Sequence, residues 1–135
     1  MRTGIFFCQV EENNRLNTAA VAKYAANLPN VETVQELGIQ PRLDAKDLAK
    51  QINASNLERI VIAGDMPGYF KPVFTKAMAL AGHDPLEVRL ASFLEHGASA
   101  APTLERAKAI VACASFGVWT DIPSRETAMA PSAPG

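Results

Sequence analysis

Apolar positions along the chain fall into short compact runs that alternate with longer stretches of helical spacing. Gly4 to Val10 is a dense apolar run rich in β-branched and aromatic residues, followed at once by the polar stretch Gln9 to Arg15, and it predicts a buried strand and its loop. From Asn17 or Thr18, either of which can cap a helix, Ala20, Val21, Tyr24, Ala25 and Leu28 recur at helical spacing until Pro29-Asn30. Val31 to Leu37 reads as a second, weaker strand. Asp44 can cap a second helix in which Leu48 and Ile52 face the core, ending near Asn53 to Asn56. Ile60 to Gly64 is the strongest strand signal, of the kind found where helices cover both faces of a parallel sheet. The turn Asp65-Met66-Pro67-Gly68 leads to a third helix carrying Phe70, Val73, Phe74, Ala77, Met78 and Ala81, closed by Gly82 and then Pro85. Leu86 to Leu90 alternates apolar with charged residues, as a strand near a sheet edge does. Pro102 opens a last helix with Ala107, Ile110, Val111, Ala114 and Val118 on one apolar face.

Strand and helix thus alternate four times, which right-handed crossovers build into a parallel sheet between two helix layers. The expected fold is α/β: three layers with a four-stranded, mostly parallel sheet of order 2-1-3-4, helices on both faces, Rossmann- or flavodoxin-like. The folded unit is expected over residues 1–121. From Ile122 to Gly135 the composition shifts to Pro, Ser, Ala and Gly, read as a flexible linker or tail.

Composition narrows the function classes. A chain of 135 residues has room for one core, and 48% apolar with 20% charged residues describes a folded domain. Thirteen basic against fourteen acidic side chains give a net charge of -1, so a nucleic-acid partner that needs a large cationic surface has no compositional support and only a local basic patch could serve one. No run is long enough to span a bilayer and the opening is too short for a signal peptide, so a cytoplasmic location is expected. Two cysteines, Cys8 and Cys113, are too few for a disulfide scaffold or for a four-thiolate metal site.

In such sheets ligands sit beyond the carboxyl ends of the strands, where the strand order reverses, so Cys8 to Asn14 and Gly64 to Tyr69 line the candidate cleft. Phosphate cradling is disfavoured there, because the first loop has no glycine and carries Glu11 and Glu12. Those two carboxylates with Asp65 and Ser92 instead suggest a divalent-cation or small-ligand site of the receiver-domain type, weighed against plain solvation of surface charge. No later strand supplies the lysine that such domains place beside an acyl phosphate. Cys8, at the end of a buried strand, reads as a core residue rather than a nucleophile, since no histidine neighbours it. Cys113 reads as helix packing, and His83 and His96 do not form a zinc pair. Met66 to Phe70 fits packing or an apolar loop offered to a partner, and Trp119 reads as burial against this domain's own sheet or as an anchor into a neighbouring domain.

The stretch Arg59-Ile60-Val61-Ile62-Ala63-Gly64-Asp65-Met66-Pro67, with Phe70-Lys71-Pro72-Val73-Phe74, Ala81-Gly82, Pro85 and Ala91 to His96, resembles the N-terminal domain of the A-type subunit of heterodisulfide reductase and of related electron-transfer flavoproteins. So does Val21 to Val31, and the resemblance runs from about residue 4 to residue 120. It implies a domain that precedes a larger flavin-binding region and carries cluster-ligating cysteines after strands one, two, three and four. Cys8 matches the first of these. Gly38 to Pro41 contains no cysteine, and Asp65 and Gly97 stand at the third and fourth positions. With thiolates as the ligands, the resemblance implies a degenerate site without an iron–sulfur cluster. FAD and iron–sulfur clusters are then expected only elsewhere in a parent protein, and the partners are other domains or subunits of a redox complex. The expected role is a non-catalytic structural or interaction domain, excised at its linker from the longer protein, with sulfur relay at Cys8 as a weaker alternative.

Overall fold

A computed structural model describes residues 1–10, 18–93 and 104–116. Its strands are β1 (Thr3–Gln9), β2 (Val31–Ile39), β3 (Arg59–Gly64) and β4 (Val88–Ser92), and its helices are α1 (Thr18–Ala25), α2 (Ala45–Ser55), α3 (Lys71–Leu80) and α4 (Leu104–Ser115). All strand pairs are parallel and the sheet order is β2-β1-β3-β4, as the alternation of elements predicts.

Alternate side chains of the two central strands feed two separate cores. Ile5, Phe7, Val61 and Ala63 pack with Val21 and Ala25 of α1 and with Ala107, Val111 and Ala114 of α4. Phe6, Cys8, Ile60 and Ile62 pack on the other face with Leu48 and Ile52 of α2 and with Phe74, Ala77 and Met78 of α3. Each large side chain buried in this way stabilises the fold by about 1.5–3 kcal/mol before entropy is charged. Because both faces are covered, β1 and β3 must be apolar without interruption, which is why their sequences show no alternation.

Local chemistry sets the element boundaries. Asp44 caps α2 by accepting from the Asp47 N–H at 3.4 Å, and Asn56 ends it in the left-handed region at φ 52°. The first helix is shorter than its periodicity predicts: it stops at Ala25, and the Leu28 N–H bonds the Ala25 carbonyl in a following turn. Tyr24 lies on the surface, with the Lys108 ammonium 5.4 Å from its ring centre, rather than in the core. The second strand is longer than predicted, because β1 continues to pair with it as far as Gln9 and Ile39. The third helix starts at Lys71, after a 3-10 turn over Pro67–Tyr69, with Phe70 as its cap.

The last strand begins at Val88, not Leu86. Asp84 accepts from the Leu86 N–H at 2.9 Å and Pro85 has no N–H to give, so Pro85–Glu87 closes into a 3-10 turn instead. The predicted helix residues Pro102 and Val118, Trp119 and the tail from Ile122 lie outside the described residues. Among the described residues, no helix is long and apolar enough to cross a membrane.

Candidate functional site

The carboxyl ends of β1, β3 and β4 meet where the strand order predicts a cleft, and they are tied together by short contacts. The buried carboxylate of Asp65 accepts from the Val10 N–H at 2.9 Å, which joins the exit of β1 to the exit of β3. The same oxygen accepts from the Met66 N–H at 2.8 Å, a turn held by the side chain of its first residue. The Ser92 hydroxyl, fully buried, donates to the Asp65 carbonyl at 3.4 Å, and the Phe93 N–H reaches the Gly64 carbonyl at 2.8 Å. Three of these four bonds tie the exits of β1 and β4 to the Gly64–Asp65 segment that ends β3, and the fourth holds the turn that follows.

Gly64 makes this convergence possible. A Cβ there would lie only 3.0 Å from the Cys8 carbonyl carbon and closer still to its oxygen, so no other residue fits without moving a strand. The register between β1 and β2 also shifts between Phe7 and Cys8, where β2 carries one residue more than β1.

Cys8 is fully buried, and its side chain belongs to the core beneath α2 and α3. Burial pushes its thiol up to about 12, so the thiolate that nucleophilic or ligand chemistry needs is strongly disfavoured. Cys113 is half-buried on α4 and is also a free thiol. His83 sits in the turn after α3, where its N–H bonds the Met78 carbonyl at 2.9 Å.

The sequence candidates thus separate. The structure brings Cys8, Asp65 and Ser92 to one edge but gives them different work: Cys8 faces the core, while Asp65 and Ser92 hold the backbone. Glu11, Glu12, Gly97 and His96 lie outside the described residues. Two backbone N–H dipoles point at one Asp65 oxygen and fasten the exit of β1 to the turn after β3. Among the described residues, no three His, Cys, Asp or Glu side chains converge to hold a metal. A four-thiolate cluster needs sulfur from several loops, and the described part of this edge offers Cys8 alone.

Sequence reasoning placed Val10 and Gly64 in the segments that line this edge but assigned neither of them a role. The signal for Gly64 was present, as a glycine ending the most buried strand. Val10 acts through its backbone, which no side-chain pattern reveals.

A curated relative from Archaeoglobus profundus, a protein like the A-type subunit of heterodisulfide reductase, is 29% identical over 121 residues, covering 84% of this chain and 17% of that protein. The chain is similar to a small part of that redox protein. It spans about one-sixth of the relative's length, and no protein-family model matches it.

Proposed function

We propose that this chain serves as a non-catalytic structural and interaction domain of a redox flavoprotein resembling the heterodisulfide reductase A-type subunit, and that it holds no iron–sulfur cluster. The likeness to the Archaeoglobus profundus protein supports the parentage. The observation that carries the role is the Asp65 carboxylate: at a position where the resembled family carries a ligand thiolate, this chain spends the side chain on the N–H groups of Val10 and Met66. A thiol at Cys8 pushed up to about 12 supports the same reading, because cluster ligation starts from thiolate.

On this reading the strand exits form a rigid platform that docks other domains or subunits of an electron-transfer complex. FAD and iron–sulfur clusters reside in those other parts. Two free thiols agree with a reducing cytoplasmic setting.

The test is iron and acid-labile sulfide analysis of anaerobically purified protein, paired with size-exclusion chromatography after mixing with the flavin-binding region of the parent protein. A colourless, iron-poor preparation that co-migrates with that region is expected. Stoichiometric iron and sulfide would overturn the cluster-free role, and separate elution would overturn the docking role.

A further inference from the structure

Charge is distributed unevenly over the two helix layers. Along α2 and α3 the chain carries Lys46, Lys50, Lys71 and Lys76 against one acid, Asp47. All four lysines are exposed. None of them makes an ion pair among the described residues: the pairs there belong to Arg2, Arg59, Arg89 and Lys108, each with a glutamate outside these two helices. The acids that flank α2 and α3 are already engaged. Asp44 accepts from the Asp47 N–H, Glu58 from the Arg2 N–H and Asp84 from the Leu86 N–H, while Glu87 is shared by Arg59 and Arg89.

Helix geometry gathers these cations on one outer face. Gln51 bonds Gln35 of β2 at 2.9 Å, which marks the side of α2 that looks toward the sheet edge. Lys46 and Lys50, one turn apart, lie on the other side, toward α3, which packs beside α2 over the same core. On α3, Phe74, Ala77 and Met78 face that core and leave Lys76 outside. Lys71 and Thr75, again one turn apart, line a cleft of about 410 Å³ between α3 and the start of β4.

The cleft adds apolar surface to the charge. Leu86 in its wall is 80% exposed, more than any other bulky apolar side chain among the described residues, and Val88 lines the same hollow. An aliphatic side chain this bare beside a concavity marks a surface that a partner covers.

We propose that the α2–α3 face docks an acidic protein segment, with one apolar side chain of that segment entering the cleft against Leu86 and its carboxylates facing Lys46, Lys50, Lys71 and Lys76. Charge complementarity selects this partner, because cations without a counter-charge of their own draw carboxylates and reject basic surfaces. The aliphatic anchor, and the lack of any arginine on either helix, favour a protein over a nucleic acid, whose phosphates are best held by guanidinium forks and whose bases stack on aromatic rings. The face belongs to a helix layer rather than to the strand exits, and the proposal stands independently of the redox reading above.

Fluorescence anisotropy of a labelled peptide, glutamates around one central leucine, tests this on the full chain. Binding is expected, weakening as salt rises and about tenfold weaker when alanine replaces the leucine. Lys46→Glu combined with Lys50→Glu, and Lys71→Glu by itself, should each weaken binding about tenfold at unchanged far-UV circular dichroism, and the milder Lys76→Gln about twofold. Leu86→Ser should erase the preference for leucine over alanine and keep the salt-dependent part. Absence of binding, equal affinity for the leucine and alanine peptides, or charge reversals without effect would overturn the proposal. So would tighter binding of a single-stranded oligonucleotide of matched charge, which would assign the face to nucleic acid.

Discussion

The Cys8 carbonyl occupies the space that a side chain on Gly64 would need. This contact brings β1 and β3 together at the edge where the Asp65 bonds begin, so it governs the whole strand-exit platform. Gly64→Ala should therefore cost about 3 kcal/mol or more, since a backbone atom cannot yield as a flexible side chain can. Gly38 makes a useful comparison: nothing lies within 4 Å of its Cβ position, and only its positive φ of 85° opposes substitution. Gly38→Ala should cost about 1–2 kcal/mol. Urea denaturation of the two variants should rank them in that order.

Asp65→Ala leaves the Val10 and Met66 N–H groups without their acceptor, and a loss of about 1–3 kcal/mol is expected. Asp65→Asn keeps an acceptor oxygen and should lose less. Thermal melts with and without magnesium separate this joint from a cation site. A joint gives variants that melt early and ignore the ion, whereas a cation site gives a wild type that magnesium stabilises and an alanine variant that it does not.

Cys8 should react slowly with iodoacetamide in the native state at neutral pH and rapidly once urea unfolds the chain. The raised thiol also has a thermodynamic signature. The folded form keeps its proton until about 12, whereas the unfolded thiol loses it near 9.0, so this contribution to stability is complete below pH 9 and falls away as pH rises toward 12. The decline approaches about 1.4 kcal/mol per pH unit inside that window. Stability measured against pH for wild type and Cys8→Ala should diverge in slope only above pH 9.

Arg59 connects Glu87 to the end of α4 from a mostly buried position. Arg59→Met retains part of the aliphatic stem and removes both bonds, and it should cost about 2 kcal/mol. A loss that is insensitive to added salt, read from melting curves, would match a pair screened little by solvent.

Much of the fold was legible because hydrophobic periodicity marked each element and, at α2, agreed with the cap. The unbroken run Ile60 to Gly64 marked a strand covered on both faces, and Asp44 marked a helix start that the side-chain bond at Asp47 realises. Boundaries slipped where tertiary pairing or a proline intervened, as when β1 drew β2 out to Ile39 and when Pro85 delayed β4. The site was harder to read. Topology located the edge where the strand exits converge and named Cys8, Asp65 and Ser92, but composition cannot distinguish a carboxylate that binds a ligand from one that fastens backbone. That distinction depends on Val10, whose contribution is a main-chain N–H.

The central pairing also constrains how the polypeptide is made. Thr3 to Phe7 lie beside Arg59 to Ala63, so during synthesis β1 has one flank bare until β3 has followed it. Until then Ile5, Phe6 and Phe7 are sticky surface within a nascent chain, and parallel pairing of this span is slow to close. Delayed closure of this span is the biosynthetic consequence of pairing β1 with the third strand as well as the second.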